Sequence, residues 1–124
     1  MESPDNSRLT LAAVENFNSA FNGHDVNAVM NAMTEDCVVE NTSPAPDGAR
    51  VEGAVMVRAY WEKFFAANPD AFFEAEEIFA AGDRWGVRWV YRKTKEGRPW
   101  RLRVVDVFKI KDGKVAEKLA YVKG

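Results

Sequence analysis

A single acidic residue in an otherwise apolar row of a predicted β-strand is the first candidate for chemistry. In a strand over Trp100–Lys111, one face would hold this acid among apolar side chains: Leu102, Val104, Asp106, Phe108 and Ile110. An ionised carboxylate in such a row loses its hydration and takes up a proton unless a partner compensates. Because that environment can make a carboxyl group a general acid or base near neutral pH, Asp106 is the candidate catalytic residue. Hydrogen bonds from a helix end or a tyrosine, or a cation, would explain a buried aspartate equally well.

Lys118 is the candidate partner of Asp106. The turn-forming pair Asp112-Gly113 predicts a hairpin between the segments that carry the two residues. A three-residue loop with a left-handed Gly113 would place Lys118 opposite Asp106, whereas a two-residue loop would place Leu119 there. Lys118 is therefore either an ion-pair partner or a second polar group in a cavity.

The preceding predicted strand carries aromatic side chains that suit the wall of a pocket. Trp85, Val87, Trp89 and Tyr91 share one of its faces. Such a row also occurs in ordinary cores, so the pattern leaves open whether there is room for a ligand beside Asp106.

Composition narrows the chemistry further. The 124 residues include one histidine, His24, and one cysteine, Cys37. This excludes an internal disulfide and argues against a structural zinc site or a histidine-based catalytic dyad. Cys37 is expected to be an inert buried thiol. A reaction would rely on carboxylates, amides, tyrosines and lysines, and no metal or other cofactor is expected.

Charge and hydropathy argue against two classes of partner. The 17 basic and 19 acidic residues nearly cancel and are interspersed, so no continuous basic face is expected to bind nucleic acid. No stretch is long and apolar enough to cross a bilayer, and residues 1–7 are polar. Together with the single cysteine, these features predict a cytoplasmic protein.

Helices are predicted in the first half of one domain that spans residues 1–124. Apolar residues spaced by three and four from Leu9 onward predict a first helix, which Gly23 ends. Asp25 is expected to cap a second helix whose apolar stripe reaches Met33.

A short strand and a third helix follow along the chain. The strand is predicted over Cys37–Thr42, and the proline- and glycine-containing segment 43–48 is predicted as a loop. The third helix follows Gly53, ends near Asn68-Pro69 and carries Tyr60 and Trp61 on its apolar side.

The second half of the chain alternates as β-strands do. Four runs rich in valine and aromatic residues are separated by hairpin-sized connections, including a four-residue one at 96–99; the runs are 72–81, 84–93, 100–111 and 114–123. This order predicts an α+β fold in which an antiparallel meander covers three helices.

The other face of this meander mixes arginine and valine. It carries Arg88 and Val90 on one strand and Val105 and Val107 on the next. Such a half-protected face suits cover by a second subunit, and we predict a homodimer through it.

The order of these elements resembles the NTF2-like superfamily and, within it, the SnoaL-like and ketosteroid-isomerase-like proteins. The resemblance covers nearly the whole chain and is carried by four segments: 21–25, 35–41, 53–61 and 105–117. It implies a cone-shaped fold with helices on a curved, mainly antiparallel sheet. This fold hosts several activities, so it implies less about the reaction.

Comparison with the ketosteroid isomerases transfers only one of three functional residues. Their catalytic base corresponds to Asn41, their tyrosine donor to Phe17 and their protonated aspartate to Asp106. Because an amide cannot shuttle a proton between carbons, the resemblance argues against authentic steroid isomerisation. SnoaL-like cyclases are similar to this chain in having an acid on the strand that carries Asp106, where it would act as general acid or base.

Two other relatives are set aside. Scytalone-dehydratase-like enzymes depend on cavity histidines, whereas His24 lies in a predicted turn and is expected at the surface. Limonene-epoxide-hydrolase-like enzymes need an arginine and an aspartate two residues apart on one strand face. Here Val90 stands between Arg88 and Arg92, and no aspartate accompanies them.

Three hypotheses of function remain. The first is a SnoaL-like enzyme in which Asp106 transfers a proton on an apolar carbonyl-bearing or polycyclic substrate. The second is a non-catalytic binder of an apolar metabolite, and the third is a dimerisation or partner-docking module with a filled interior. Partly from the resemblance, the predicted ligand contacts are Phe17, Asn41, Tyr60, Trp61, Trp89, Tyr91, Val104, Phe108 and Lys118.

Overall fold

The protein is an α+β structure of three helices and six strands, described by a computed structural model over residues 4–122. Side chains are described from residue 11 onward except at 81, so the side chain of Leu9 and the predicted strand end at Lys123 lie outside the described residues. The helices are α1 (Pro4–Asn22), α2 (Val26–Asn31) and α3 (Ala54–Ala67). The strands are β1 (Met33–Glu40), β2 (Arg50–Glu52), β3 (Phe72–Ala81), β4 (Arg84–Lys95), β5 (Arg98–Lys111) and β6 (Lys114–Val122).

All six described strands belong to one curved sheet in the order β2-β1-β6-β5-β4-β3. Only β1 and β6 pair in parallel, and β3 to β6 form the predicted antiparallel meander. Helices α1 and α3 pack on the inner face of the sheet and cover the aromatic core. The predicted α+β fold with a mainly antiparallel sheet is therefore confirmed. Within residues 4–122, no helix is long and apolar enough to span a membrane.

Local signals place the first two helices, with one correction. Asp25 Oδ1 accepts a hydrogen bond from Ala28 N at 3.1 Å and so caps α2 as predicted. Met33 was expected on the stripe of α2, but it begins β1. The reason is tertiary, because β6 pairs with the chain here and Val115 N donates to Ala32 O at 2.8 Å.

The strand boundaries also differ from the prediction. β1 ends at Glu40, so Asn41 stands just beyond it, and the three-residue β2 was not predicted. β4 and β5 are longer than expected because Glu96-Gly97 alone forms their turn, with φ of 53° and 75°. Pro99, read as part of the turn, lies within β5 opposite Thr94. Thr94 N donates to the carboxylate of Asp70 and not across the hairpin. The Thr94–Pro99 pair therefore lacks a backbone hydrogen bond that would require an N–H group on the proline.

Candidate functional site

A cavity of about 280 Å³ lies between α1, α3 and the inner face of the sheet. All strands except β2 contribute to its lining. β4 and β5 contribute alternate residues, because the inward positions of a strand recur every second residue. Aromatic rings make up much of its wall: Phe21, Tyr60, Trp61, Phe64, Phe73, Tyr91 and Trp100. Such a wall favours an apolar, flat ligand.

A buried ion pair between Asp106 and Lys118 lies beside this cavity. Lys118 Nζ is 3.0 Å from Asp106 Oδ2, and Trp89 Nε1 donates to the same oxygen at 2.8 Å. Asp106 is 0% exposed and Lys118 is 6% exposed. Asp106 Oδ1 has no hydrogen-bond partner among the described residues. Two donors thus converge on one carboxylate oxygen, and this contact holds the ammonium group in place.

A bulge in β6 brings Lys118 to Asp106. Neither predicted register, with Lys118 or with Leu119 directly opposite Asp106, is the one observed. The turn has two residues, because Lys111 pairs with Lys114, but the pairing then shifts by one residue between Lys109 and Ile110. As a result Asp106 stands opposite Ala120, while Lys118 stands opposite Phe108 on the same inner face. Lys118 then reaches Asp106 diagonally. Leu119 is not the residue that faces Asp106.

Lys118, and not Asp106, meets the cavity. Lys118 lines the cavity, whereas Asp106 is absent from its lining. The ammonium nitrogen also lies 5.8 Å from the ring centroid of Trp61 and 5.5 Å from that of Phe73. Asp106 therefore has no place in the lining and acts on the cavity through Lys118 and, over a longer distance, through its charge.

Three other lining residues, Tyr60, Trp61 and Tyr91, carry hydrogen-bond donors. The Nε1 atom of Trp61 and the hydroxyl of Tyr91 are buried, and neither has a partner among the described residues. Burial raises the pKa of Tyr91 to about 12, and burial raises the pKa of Tyr60 still further, with the charge of Asp106 as a smaller cause. Both phenols therefore stay protonated at neutral pH and can donate. The wall is complementary to a ligand that carries oxygen acceptors.

Asn41 lines the mouth of the cavity and also stabilises its own turn. Its Oδ1 accepts a hydrogen bond from Thr42 N at 2.8 Å, and its backbone N donates to Ala49 O at 2.9 Å. Asn41 therefore forms a turn and lines the cavity as well.

The predicted ligand contacts divide into two groups. Six line the cavity: Asn41, Tyr60, Trp61, Tyr91, Val104 and Lys118. Phe17, Trp89 and Phe108 are buried but outside its lining. Phe17 packs edge-on against Phe108 with ring centroids 5.8 Å apart, and Trp89 instead binds Asp106. These three residues belong to the buried core next to the cavity and do not border its open space.

Several cavity residues were not predicted, among them Phe64, Phe73, Lys93 and Trp100. The alternation on β4 contained the signal for Lys93, because it continues the face of Tyr91 by one step. Phe73 would follow from the pairing of β3 with β4, which places it opposite Tyr91.

The lone histidine and the lone cysteine have structural positions. His24 was expected at the surface, but it is half-buried. Its ring stacks on Phe65 with centroids 4.7 Å apart, and its Nε2 lies 2.6 Å from Ala71 O. Cys37 is buried, and burial raises the pKa of its thiol, as expected for an inert cysteine. Among the described residues, no cluster of three or more histidine, cysteine or acidic side chains could hold a metal ion.

Comparisons with known proteins identify the family. A sequence model of the SnoaL-like domain matches residues 14–118. An NTF2-like protein of unknown function from Mesorhizobium loti is 37% identical, with 99% of this chain and 98% of that chain covered and a TM-score of 0.81. A Sinorhizobium meliloti protein provisionally assigned as a polyketide cyclase is 26% identical, with coverages of 89% and 94% and a TM-score of 0.74.

A more distant structure agrees in fold. A protein from Catenulispora acidiphila with a ketosteroid-isomerase-like fold, solved with trimethylamine, is 16% identical, with coverages of 88% and 83% and a TM-score of 0.78. No curated protein sequence matches the chain significantly. The matched family model and the Mesorhizobium relative show that this chain belongs to the SnoaL-like family of NTF2-like proteins.

Proposed function

We propose that this protein is a small-molecule enzyme of the isomerase or cyclase type that moves a proton on an apolar, carbonyl-bearing substrate. The observation that carries the proposal is the buried Lys118–Asp106 pair, whose lysine faces an aromatic cavity. The SnoaL-like family and the similarity to a provisionally assigned polyketide cyclase support the same class of reaction.

In this proposal Lys118 is the catalytic residue and Asp106 acts through it. The Lys118 ammonium donates a hydrogen bond to the substrate carbonyl oxygen and stabilises the negative charge that develops there. Transfer of one proton from Nζ to Asp106 Oδ2 leaves a neutral amine, which can accept a proton from the carbon beside the carbonyl. The amine that has taken this proton is again an ammonium, which stabilises the enolate and then gives the proton back to a substrate carbon. The proton on Oδ2 returns to Nζ, so the pair works as acid and base without net consumption of protons.

The surrounding wall orients the substrate. The aromatic rings contact a flat apolar body, while Trp61 Nε1 and the hydroxyls of Tyr60 and Tyr91 offer donors to its oxygens. Because burial keeps the two phenols neutral, they serve as donors and not as bases. The donor-rich wall thus favours ketones and other oxygenated substrates.

The interior argues for this class over a docking module. The docking hypothesis predicts a filled interior, but about 280 Å³ of open space remains beside Trp61. Trp85 and Trp89 are buried outside the lining of that space. A non-catalytic binder uses the same cavity and is separated from an enzyme by the experiment below.

A homodimer through the outer face of the sheet is part of the proposal. On that face Arg103 pairs with Glu76 at 3.1 Å and Arg88 pairs with Glu77 at 3.3 Å, so a second copy would cover these four charges as neutral pairs. Tyr121 adds an aromatic side chain that is 57% exposed. One domain over residues 1–124 and a cytoplasmic location complete the proposal.

Exchange of hydrogen for deuterium in a simple ketone tests the activity. The probe is β-tetralone, a flat bicyclic ketone with an activated carbon beside its carbonyl, and proton NMR in D₂O follows the loss of its signal. We expect the protein to accelerate exchange by about a hundredfold or more over buffer. The matched control is the double variant Asp106→Asn/Lys118→Met, which replaces the ion pair with neutral side chains of similar size. Binding of the ketone with no acceleration by the wild-type protein would show a non-catalytic binder.

A further inference from the structure

Lys93 is a second ammonium group in the cavity, and the proposed reaction does not use it. It lines the mouth, where Nζ donates to Asn68 Oδ1 at 2.9 Å and lies 5.1 Å from the ring centroid of Trp100. Asn68 is itself held, because its Nδ2 donates to Phe64 O at 2.9 Å. The lysine is thus positioned by an oriented amide and an aromatic face.

Among the described residues Lys93 forms no ion pair, because the carboxylate of Asp70 acts on it only at longer range and accepts a hydrogen bond from Thr94 N. Lys118 is balanced by Asp106. Glu40, the one acid in the lining, is bound by Arg50 at 2.7 Å. The second acid on Arg50 is Glu52, which is exposed and outside the lining. Lys93 is therefore an ammonium group in the described lining that forms no ion pair.

An aromatic platform connects the two lysines. Phe73 and Tyr91 stack with ring centroids 4.8 Å apart and planes at 22°. Lys118 Nζ lies 5.5 Å from the Phe73 centroid, and Lys93 Nζ lies 5.7 Å from the Tyr91 centroid. A flat ligand on this platform would meet one ammonium group near each end.

We propose that the substrate class of this cavity is aromatic or polycyclic carboxylic acids, with the carboxylate bound by Lys93 and a distal oxygen bound by Lys118. The inference rests on the proposed function in using the same cavity as the ligand site. Nζ of Lys93 keeps two N–H donors beyond its bond to Asn68, which suits a carboxylate. Lys93 is then the residue that selects anionic over neutral ligands.

Calorimetric binding of a matched pair of probes tests this selection. The probes are a hydroxynaphthoate and its methyl ester, which share the ring and the hydroxyl but differ in charge. We expect the wild-type protein to bind the acid about tenfold more tightly than the ester, the size of effect of one charge-assisted hydrogen bond. Lys93→Met should reduce this preference to about one by weakening the acid, with the ester unchanged. Lys95→Met is the control, because Lys95 also lies beside Trp100 but outside the lining.

The outcomes separate this inference from the proposed function. Four results would each overturn the inference. The wild-type protein could bind acid and ester equally or bind neither, the preference for the acid could survive Lys93→Met, or that preference could be lost in Lys95→Met. If β-tetralone exchange is still catalysed in any of these cases, the proposed function stands alone. A Lys93-dependent preference for the acid without catalysed exchange would retain the inference and overturn the proposed function.

Discussion

Replacing Lys118 with methionine removes the cation from a buried ion pair and should strongly destabilise the fold. Methionine keeps most of the side-chain volume, so the main change is the loss of charge beside Asp106. The attraction between unit charges 3.0 Å apart is about 5 kcal/mol at an effective dielectric constant of about 20. Trp89 still donates to Asp106, but one hydrogen bond does not replace the cation. We therefore expect Lys118→Met to lower the free energy of unfolding by about 3–5 kcal/mol.

Urea denaturation followed by tryptophan fluorescence measures this loss, and a double-mutant cycle separates the pair from its surroundings. The loss is a large share of the roughly 5–15 kcal/mol by which a domain is stable, so it is easily resolved. Asp106→Asn/Lys118→Met should be more stable than Lys118→Met alone, because no charge is then left buried. A loss below about 1 kcal/mol in Lys118→Met, or additive effects of the two substitutions, would refute a buried, ionised pair.

Two further predictions concern the outer face and alkaline pH. Val107→Glu places a charge on the proposed dimer face and should convert a dimer to a monomer in size-exclusion chromatography. The control is Val55→Glu, at a residue on α3 that is 83% exposed, which should leave the dimer intact. An unchanged elution volume for Val107→Glu would contradict this interface. Burial raises the pKa of Tyr60 and of Tyr91 above the ordinary value of 10.0, so the unfolded chain loses these protons first and the free energy of unfolding should fall as pH rises above 10. Tyr91→Phe should flatten that decline in urea denaturation between pH 9 and 11, and an unaltered slope would contradict the assignment.

The fold was predictable from the sequence because periodicity and turn residues agree with it. The alternation over Trp100–Lys111 places Asp106 in the interior, and Asp25 caps α2. The differences arise where tertiary pairing overrides local preference. Met33 joins β1 because β6 pairs beside it, and Pro99 stays in β5 because Thr94 bonds elsewhere.

The site was only partly predictable. Strand alternation identifies Asp106 and Lys118 as inward-facing candidates. Their contact, however, depends on the bulge in β6, where the pairing with β5 shifts between Lys109 and Ile110, and no turn residue predicts this bulge. Which aromatic side chains border open space depends on rotamers and helix packing. Trp89 and Tyr91 share one strand face, yet only Tyr91 lines the cavity.

The measurement that tests the central claim most directly is the rate of β-tetralone exchange in the wild-type protein, in Asp106→Asn and in the double variant Asp106→Asn/Lys118→Met. Because Asp106 acts through Lys118, loss of its charge should slow exchange by at least about a hundredfold, and the double variant should be no faster than buffer. Circular dichroism should show both variants to be folded, and calorimetry should show that they bind the ketone. Wild-type exchange at the buffer rate, or exchange that persists at the wild-type rate in the folded double variant, would contradict the Lys118–Asp106 pair as the catalytic unit.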